Sequence, residues 1–387
     1  MNTRVMENGT PAEADTPPDF LFTSGQGSLG AYDLGQPIAT PAGDWPLLAQ
    51  QITRALDAAR AAGQANPLLI GAFAFDPAEA SCLYVPGRYE RGERVAPEEQ
   101  ATETNSVIAV QSTPASGEFK ASVSAALDAF AQGKLAKVVL SRKLILTLHK
   151  PADPERVLAR LMAQNPHAFH FSLPLGQGRR LLGASPELLL RVSGGEVFTH
   201  PLAGSARRAS EPVQDEEVAR DLLASRKDQH EHKLVIDEIR RVLTPHCREL
   251  AIPSSPSLMS TDTLWHLGTP IAGQLHGSDA SVLSLACQLH PTPALCGYPT
   301  DLARQFIREQ EPFRRALFSG IVGWCDSQGN GEWAVVIRCG VLDGHQVELF
   351  AGAGIVAGSD PAMEWAETGT KLGTMLKALG LDLEVAQ

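Results

Sequence analysis

The segment KDQHEHKLVIDEI, residues 227–239, contains side chains that could hold a metal ion. Zinc proteases place two histidines one helical turn apart, so that both face the same ion. His230 and His232 are separated by one residue, and at about 100° per residue they point to nearly opposite sides of a helix. Asp228 and Glu231 share one face instead, so a metal bound here would be a hard cation that prefers oxygen ligands.

A second acidic cluster lies in EWAETGTKL, residues 364–372. Glu364, Glu367 and Lys371 follow one another at helical spacing, so their side chains share one face. On spacing alone, both acidic clusters also fit solvated helix faces with an ion pair. A metal site requires a fold that brings the two helices to one pocket.

Composition and charge limit the class of partner. The chain has 387 residues, 43% of them apolar, which is enough to bury a substantial core. A net charge of −11 argues against nucleic acid or a membrane surface as partner, so an anionic small substrate would need a local cationic pocket. The six cysteines form no C-x-x-C motif and indicate free thiols, and hence a cytoplasmic protein.

The domain organisation is simple. We expect residues 1–18 to form a disordered tail without a signal peptide, followed by a single domain over 19–385. Within that domain we distinguish an N-terminal part, 19–115, from a catalytic core, 116–385. Residues 101–119 are the best candidate for a boundary segment, but they indicate it only weakly because they are not rich in Gly, Pro and Ser.

Hydrophobic patterns predict strands and hairpins in the second half of the chain. KVVLSRKLILTL, 137–148, is typical of a strand, and 188–200 is typical of a hairpin. A second hairpin is predicted over 331–356, turning at Asp343-Gly344. Hairpins with interspersed helices favour an α+β fold.

Two helices are predicted by apolar periodicity. One is long and covers 213–243; the other starts at Asp360-Pro361, a cap residue followed by a favoured first position. GQGSLG, 25–30, matches a dinucleotide-binding fingerprint, but Gly and Pro break the sequence after it, so the required helix is missing and we reject that site.

Eight segments, in chain order, resemble the chorismate-utilising enzymes, and most of all the isochorismate synthases that feed catecholate siderophores. The resemblance implies two stacked antiparallel sheets flanked by helices, with the active site in a cleft between them. It also implies a cytoplasmic enzyme that isomerises chorismate to isochorismate. The segments are KVVLSRK, GASPELLLRV, HPLAGSARR, LASRKDQHEH, TLWHLGTPIAG, HPTPALCGYP, GIVGWCDSQGNGEWAVVIRC and AGAGIVAGSDPAMEWAETGTKL.

The resemblance implies a magnesium site formed by the two acidic clusters. Glu231 and Glu367 correspond to the Mg²⁺ ligands, and Glu364 corresponds to a further ligand or a support acting through water. Asp228 is assigned a supporting role only, and the two nearby histidines are bystanders. Magnesium suits chorismate, whose two carboxylates must be neutralised by an acidic protein.

The resemblance also implies how the second carboxylate is bound. Arg338 supplies a bidentate fork, assisted by the backbone N–H groups of Gly352 and Gly354, and Lys371 adds positive charge. From spacing alone, Gly352, Gly354 and Gly358 equally fit hairpin-end turns, and Arg338 fits a charge at a strand end.

Isochorismate formation adds water at one ring carbon and expels a hydroxyl, so it needs a base and an acid but no redox cofactor. By resemblance Lys137 is the base and Glu187 the acid. The lysine must act as a neutral amine and the glutamate as a protonated acid, and burial favours both neutral forms. Outside this family Lys137 would be a strand-end charge and Glu187 a turn residue.

Neighbouring segments favour water over ammonia as the nucleophile. Anthranilate synthases usually carry Q-V-V and P-A-G-T where this chain has K-V-V, beginning at Lys137, and P-T-P-A-L, so no glutamine amidotransferase partner is expected. Ala294 and Leu295 are predicted to shape the wall beside the attacked carbon. Gly204 and Ser205 match the substrate loop of the family.

Some alternatives stay open at this stage. His266 fits a position near the leaving group and equally a buried structural histidine. Salicylate synthases share the base, acid and magnesium and go on to eliminate pyruvate, and the product could also feed menaquinone. A non-catalytic chorismate-binding protein is a third reading, whereas a hydrolase lacks its motifs.

Overall fold

The computed structural model describes residues 5–6, 16–94, 105–277 and 280–382. Most of the predicted disordered tail and the first four residues of the candidate boundary segment lie outside this part of the chain. The predicted division into an N-terminal part and a catalytic core stays a prediction. Within the described part, no helix combines the length and apolar character that a membrane crossing needs.

The described residues form 22 strands and eight α-helices. The strands are β1 (Val5–Met6), β2 (Phe20–Ser24), β3 (Gly27–Tyr32), β4 (Leu68–Phe73), β5 (Cys82–Tyr84), β6 (Arg88–Gly92), β7 (Val107–Thr113), β8 (Lys137–Leu148), β9 (Phe169–Gly176), β10 (Arg179–Ser185), β11 (Leu188–Ser193), β12 (Glu196–His200), β13 (Leu202–Arg207), β14 (Cys247–Ala251), β15 (Ser257–Ser260), β16 (Leu264–Gly268), β17 (Ile271–Leu275), β18 (Gly297–Tyr298), β19 (Ile321–Asp326), β20 (Gly331–Val335), β21 (Cys339–Asp343) and β22 (Gln346–Val356). The helices are α1 (Trp45–Ala61), α2 (Ser116–Ala131), α3 (Pro154–Gln164), α4 (Pro212–Ala224), α5 (Arg226–Leu243), α6 (Val282–Leu289), α7 (Thr300–Gln310) and α8 (Pro361–Leu379).

The strands form three sheets, and every strand pairing in the described part is antiparallel. The large sheet has 11 strands in the order β1-β6-β3-β2-β9-β10-β21-β22-β8-β18, with β7 also paired to β8. The second sheet has eight strands, β14-β17-β12-β11-β20-β19-β4-β5, and the small sheet has three, β13-β16-β15. The predicted α+β fold with two main antiparallel sheets is confirmed, and the small sheet was not predicted.

The two main sheets pack face to face through an apolar layer. On β4, Leu68 and Ile70 pack in one cluster with Phe22 and Phe171 of the large sheet. The intervening Leu69 points the other way, into a cluster with α1, α5 and α6. Full burial of such a side chain stabilises the fold by about 1.5–3 kcal/mol. Because both faces of β4 are covered, its sequence is a continuous apolar run.

Helix α8 covers the outer face of the large sheet and begins as predicted. The Asp360 side chain accepts hydrogen bonds from two N–H groups of the first turn, and Gly380 closes the helix with φ 74°. Leu372 and Leu376 pack into a cluster with β22 and α3. These contacts fix the rotation of α8, and therefore the direction in which its acidic face points.

The prediction of one long helix over 213–243 is wrong in one respect, because two helices, α4 and α5, cover this segment. Ser225 separates α4 from α5 in an extended conformation, with φ −67° and ψ 114°. Its side chain accepts a hydrogen bond from the N–H of Asp228 at 3.3 Å, so it caps the N-terminus of α5. Apolar periodicity runs through this break and does not reveal it.

The hairpin predicted over 331–356 is also more complex than expected. The turn after Asp343 is confirmed between β21 and β22, but β20 belongs to the second sheet. The chain passes between the two main sheets at residues 336–338, where Arg338 has φ 50°. A positive φ is uncommon for a residue other than glycine, so this crossing is a specialised point of the backbone.

Two further predictions are confirmed. The strand over 137–148 is β8, and 188–200 is the β11–β12 hairpin. The rejected fingerprint GQGSLG forms the turn and second strand of the β2–β3 hairpin, in which Ser24 pairs with Gly27.

Candidate active site

A cleft of about 940 Å³ lies where β13, β16, α4, α5 and α8 meet strands β8 and β22. Lys137 is absent from its lining, since it is fully buried on β8. All the other predicted site residues line this cleft: Glu187, Gly204, Ser205, Glu231, His266, Ala294, Leu295, Arg338, Gly352, Gly354, Glu364, Glu367 and Lys371.

Glu231 links the helix α5 to the strands beneath it. Its Oε1 lies 2.8 Å from Lys137 Nζ, an ion pair without an aligned hydrogen bond. A Cβ added at Gly354 on β22 would lie 2.2 Å from the same Oε1. The glycine therefore makes the space that the carboxylate occupies, and the lysine underneath supplies its counter-charge.

The acidic face of α8 points into the cleft opposite Glu231. Glu364 Oε1 pairs with Lys227 Nζ at 2.9 Å, and Glu367 Oε1 pairs with Lys371 Nζ at 2.5 Å. The Ser205 hydroxyl donates a second contact to Glu367 Oε1 at 3.0 Å. Burial raises the pKa of Glu364, and the charge of Glu367 adds to the shift. Burial acts the same way on Glu367, but Lys371, the Ser205 hydroxyl and Lys227 together outweigh it and lower the pKa of that carboxyl.

The residues of this region fit a hard divalent cation by their chemistry. Within the described part of the chain, no three His, Cys, Asp or Glu side chains are arranged as a ready metal site. However, the pKa of Asp228 is raised by burial and further by the charges of Glu231 and Glu367, so these carboxylates repel one another across the cleft. A cation bound between them would relieve that repulsion, and the space beside Gly354 keeps Glu231 available for it.

Glu187 lies in the short connection between β10 and β11 and is 4% exposed. Burial raises its pKa to about 7, against the lowering effects of the Leu202 N–H, Lys137, Arg338 and Lys371. The Leu202 N–H lies 3.4 Å from Glu187 Oε1. A carboxyl with such a pKa holds its proton in a large fraction of molecules near neutral pH, which is what a general acid requires.

Arg338 is buried at the crossing between the two main sheets. Burial lowers its pKa to about 10, while the charges of Glu367 and Glu187 oppose that shift. The guanidinium stays charged at neutral pH and lines the cleft, so it can bind an anion there.

Strand β22 presents backbone groups to the same cleft. Its ladder with β21 covers residues 346–349, and beyond it Lys371 Nζ donates to the carbonyl of Gly352 at 3.0 Å. Both backbone groups of a strand residue point to the same edge, so the N–H of Gly352 faces the cleft as well. Gly354, two residues further, repeats this orientation. These backbone N–H groups are therefore available as hydrogen-bond donors to an anion, which is the functional alternative that the sequence left open.

The small sheet forms a further wall. Ser205 on β13 lies opposite His266 on β16, and Gly204 adopts φ 83° with the Asp228 side chain against it. His266 is buried, its Nε2 has no hydrogen-bond partner among the described residues, and burial lowers its pKa well below the usual range. It is a neutral imidazole in the cleft wall, whichever of the two predicted roles it has.

The two histidines of the opening segment lie away from the acidic face. His230 is exposed, whereas His232 is buried and contacts the Ala203 carbonyl at 3.2 Å and the Thr269 hydroxyl at 2.8 Å. Burial lowers the pKa of His232 to about 4. Its contacts support the strand β13, and its assignment as a bystander stays a prediction.

Sequence reasoning missed several polar residues of the cleft, among them Arg142, Ser225 and Lys227. Lys227 precedes Glu231 by one helical turn, a spacing that could have revealed it. Arg142 is buried on β8, where its Nε donates to Thr368 Oγ1 at 2.8 Å and its guanidinium stacks 3.6 Å from the Trp365 ring centroid. Its partners lie on α8, far away in sequence, so no local pattern indicates this role.

Comparison with known proteins agrees with this geometry. The family model described as "Chorismate binding enzyme" matches residues 88–380. A candidate isochorismate synthase of Aeromonas hydrophila is 79% identical over 397 aligned residues, covering 100% of both chains. Isochorismate synthase EntC of Escherichia coli (strain K12) is 50% identical over 328 residues, 84% of each chain.

The fold agrees as closely as the sequence. The crystal structure of a candidate 2,3-dihydroxybenzoate-specific isochorismate synthase, DhbC from Bacillus anthracis, superposes with a TM-score of 0.88 at 37% identity. The match covers 96% of this chain and 98% of that one, so it includes most of the chain before Lys137, where none of the eight resembling segments lies. The chain belongs to the family of chorismate-binding enzymes.

Proposed function

We propose that the protein is an isochorismate synthase, which converts chorismate to isochorismate in a magnesium-dependent reaction. The observation that carries this proposal is the content of one cleft: a buried acid, Glu187, with a pKa of about 7, beside the buried cation Arg338 and facing two acidic helix faces. A dianionic ring substrate that needs protonation of a leaving hydroxyl matches this set of groups.

Binding uses opposite charges at two places in the cleft. Arg338 and the N–H groups of Gly352 and Gly354 are assigned to one carboxylate of chorismate, with Lys371 nearby. Glu231 and Glu367, supported by Glu364, are assigned to Mg²⁺, which when bound would neutralise the other carboxylate.

The reaction breaks one C–O bond and forms another. Lys137 takes a proton from water as the water oxygen bonds to the ring carbon, and Glu187 gives its proton to the hydroxyl that leaves as water. Support for Glu187 is direct, since it lines the cleft in a protonatable state. Lys137 is fully buried behind Glu231 and pairs with it at 2.8 Å, so the proposed base role requires that this ion pair open first.

We also propose a pathway and a location. One structural relative is named as specific for 2,3-dihydroxybenzoate, a catechol, which favours the first step of catecholate siderophore synthesis over menaquinone. Six free cysteines favour the reducing cytoplasm. Water as nucleophile leaves no need for an ammonia-supplying amidotransferase subunit.

The test is to incubate the purified protein with chorismate, with and without Mg²⁺, and to identify the products by proton NMR. The expected result is isochorismate in equilibrium with chorismate, with formation lost on chelation. Salicylate and pyruvate would replace this proposal with a salicylate synthase, and absence of turnover would indicate a binding protein.

A further inference from the structure

Strand β8 has an incomplete ladder on one of its edges. Strand β7 pairs with it from Leu148 back to Lys143, and β18 pairs only with Lys137 and Val138. Among the described strands, none pairs with residues 139–142 on this edge. Buried backbone N–H and C=O groups in such a gap must find other partners.

A buried ion pair supplies two of those partners, while the N–H of Val139 donates to the carbonyl of Cys296 at 2.8 Å. Glu311 Oε1 accepts from the N–H of Ser141 at 2.7 Å, and Arg315 Nη2 donates to the carbonyl of Val139 at 2.7 Å. Arg315 Nε and Glu311 Oε2 are 2.8 Å apart, with side-chain exposures of 2% and 3%. The pair thus takes the place of the missing strand.

The guanidinium of Arg315 also contacts the part of the cleft wall that contains Leu295. Arg315 Nη1 donates to the carbonyl of Leu295 at 2.9 Å, so one planar group holds Leu295 and Val139 together. Both of these residues line the cleft, whereas Glu311 and Arg315 do not. Lys137 lies two residues before Val139 on the same strand.

A buried ion pair is weak evidence for stability, because apolar side chains of similar volume often serve a core equally well. A rigid fork with several donors, in contrast, fixes the relative position of the backbone groups that it binds. The groups fixed here are the strand that carries the predicted base and the wall predicted to lie beside the attacked carbon.

We propose that the Glu311–Arg315 pair is a positioning element for water addition, which sets the separation between the Leu295 wall and the β8 strand. The inference rests on the proposed function. Neither side chain touches the substrate. The pair acts through Val139, Ser141 and Leu295 on the end of the cleft where the new C–O bond forms.

Arg315→Lys and Glu311→Gln test this role. The lysine keeps the charge, but its single nitrogen with three donors cannot reproduce the four contacts of the planar guanidinium. The glutamine keeps one acceptor but loses the charge of the pair. We expect kcat to fall about 10- to 100-fold, since a displacement near 1 Å has about that effect. KM for chorismate should stay within about twofold of wild type, because the residues assigned to its carboxylates do not contact the pair.

Ile307→Val is the matched control, since Ile307 is buried on the neighbouring helix α7, packs in the apolar cluster with Val138 and Leu140, and has an apolar side chain that makes none of the hydrogen bonds of the pair. The melting temperature and kcat of this control show how a small loss of apolar packing in this region changes stability and turnover. A fall in kcat for Arg315→Lys and Glu311→Gln beyond that of the control, at unchanged KM, supports the positioning role. Loss no greater than in the control overturns it, and an inert wild-type enzyme overturns the proposed function and this inference together.

Discussion

Gly354→Ala is the sharpest steric test of the candidate metal site. The added Cβ would lie 2.2 Å from Glu231 Oε1, whereas carbon and oxygen atoms in ordinary contact are about 3.3 Å apart. The carboxylate must therefore retreat by about 1 Å, away from the position in which it is 2.8 Å from Lys137. A displacement of this size costs about 100-fold in rate, so we expect kcat/KM to fall by about that factor and the Mg²⁺ requirement to rise.

The fold should survive this change. Gly354 has no positive φ, so alanine can adopt its backbone conformation, and the atom displaced is the end of a flexible side chain. Gly117→Ala is the matched control, since nothing lies within 4 Å of a Cβ added there. Initial rates of isochorismate formation over a Mg²⁺ titration, with melting temperatures, provide the assay. Wild-type rates and an unchanged titration in Gly354→Ala would refute the placement of Glu231 in the site.

Three further predictions concern the proposed chemistry. Because burial raises the pKa of Glu187 to about 7, this acid loses its proton as the pH rises through that value, and kcat/KM should fall there. The variant Glu187→Gln should lose this limb of the pH profile together with most of the activity. Lys137→Ala should abolish water addition in a protein that still folds, as measured by product NMR and circular dichroism, and retained turnover would exclude the base role. Glu231→Ala should weaken Mg²⁺ binding in calorimetry, and an unchanged isotherm would remove Glu231 from the ligand set.

Local patterns predicted the elements that have a regular period. Strand β8 could be predicted with both of its bounds, since it is an apolar and β-branched run, and the start of helix α8 could be predicted from its cap at Asp360. Ser225 and Arg338 interrupt their segments, and neither interruption changes the apolar period. The split helix and the change of sheet were therefore missed.

The candidate site was predicted by family resemblance, because its contacts join distant parts of the chain. Lys137 and Glu231 form an ion pair across two elements, and nothing near either residue indicates the other. The resemblance placed Glu231, Glu367 and Arg338 in one cleft, as the structure does. Their roles stay predictions. Arg315, whose contacts are with backbone carbonyls, a buried carboxylate and the Phe75 ring, carries no family signature that was recognised.

Under the proposed function, the crossing at Arg338 links affinity for the substrate to the packing of the whole molecule. Arg338 is buried in the segment that connects the two main sheets, so its position depends on how those sheets pack. Protein interiors are close-packed, and a change of volume in the layer between the sheets is transmitted as strain to the elements around it. Substitutions in that layer, remote from the cleft, would then alter how tightly the substrate anion is held. Stability and affinity would therefore depend on the same residues.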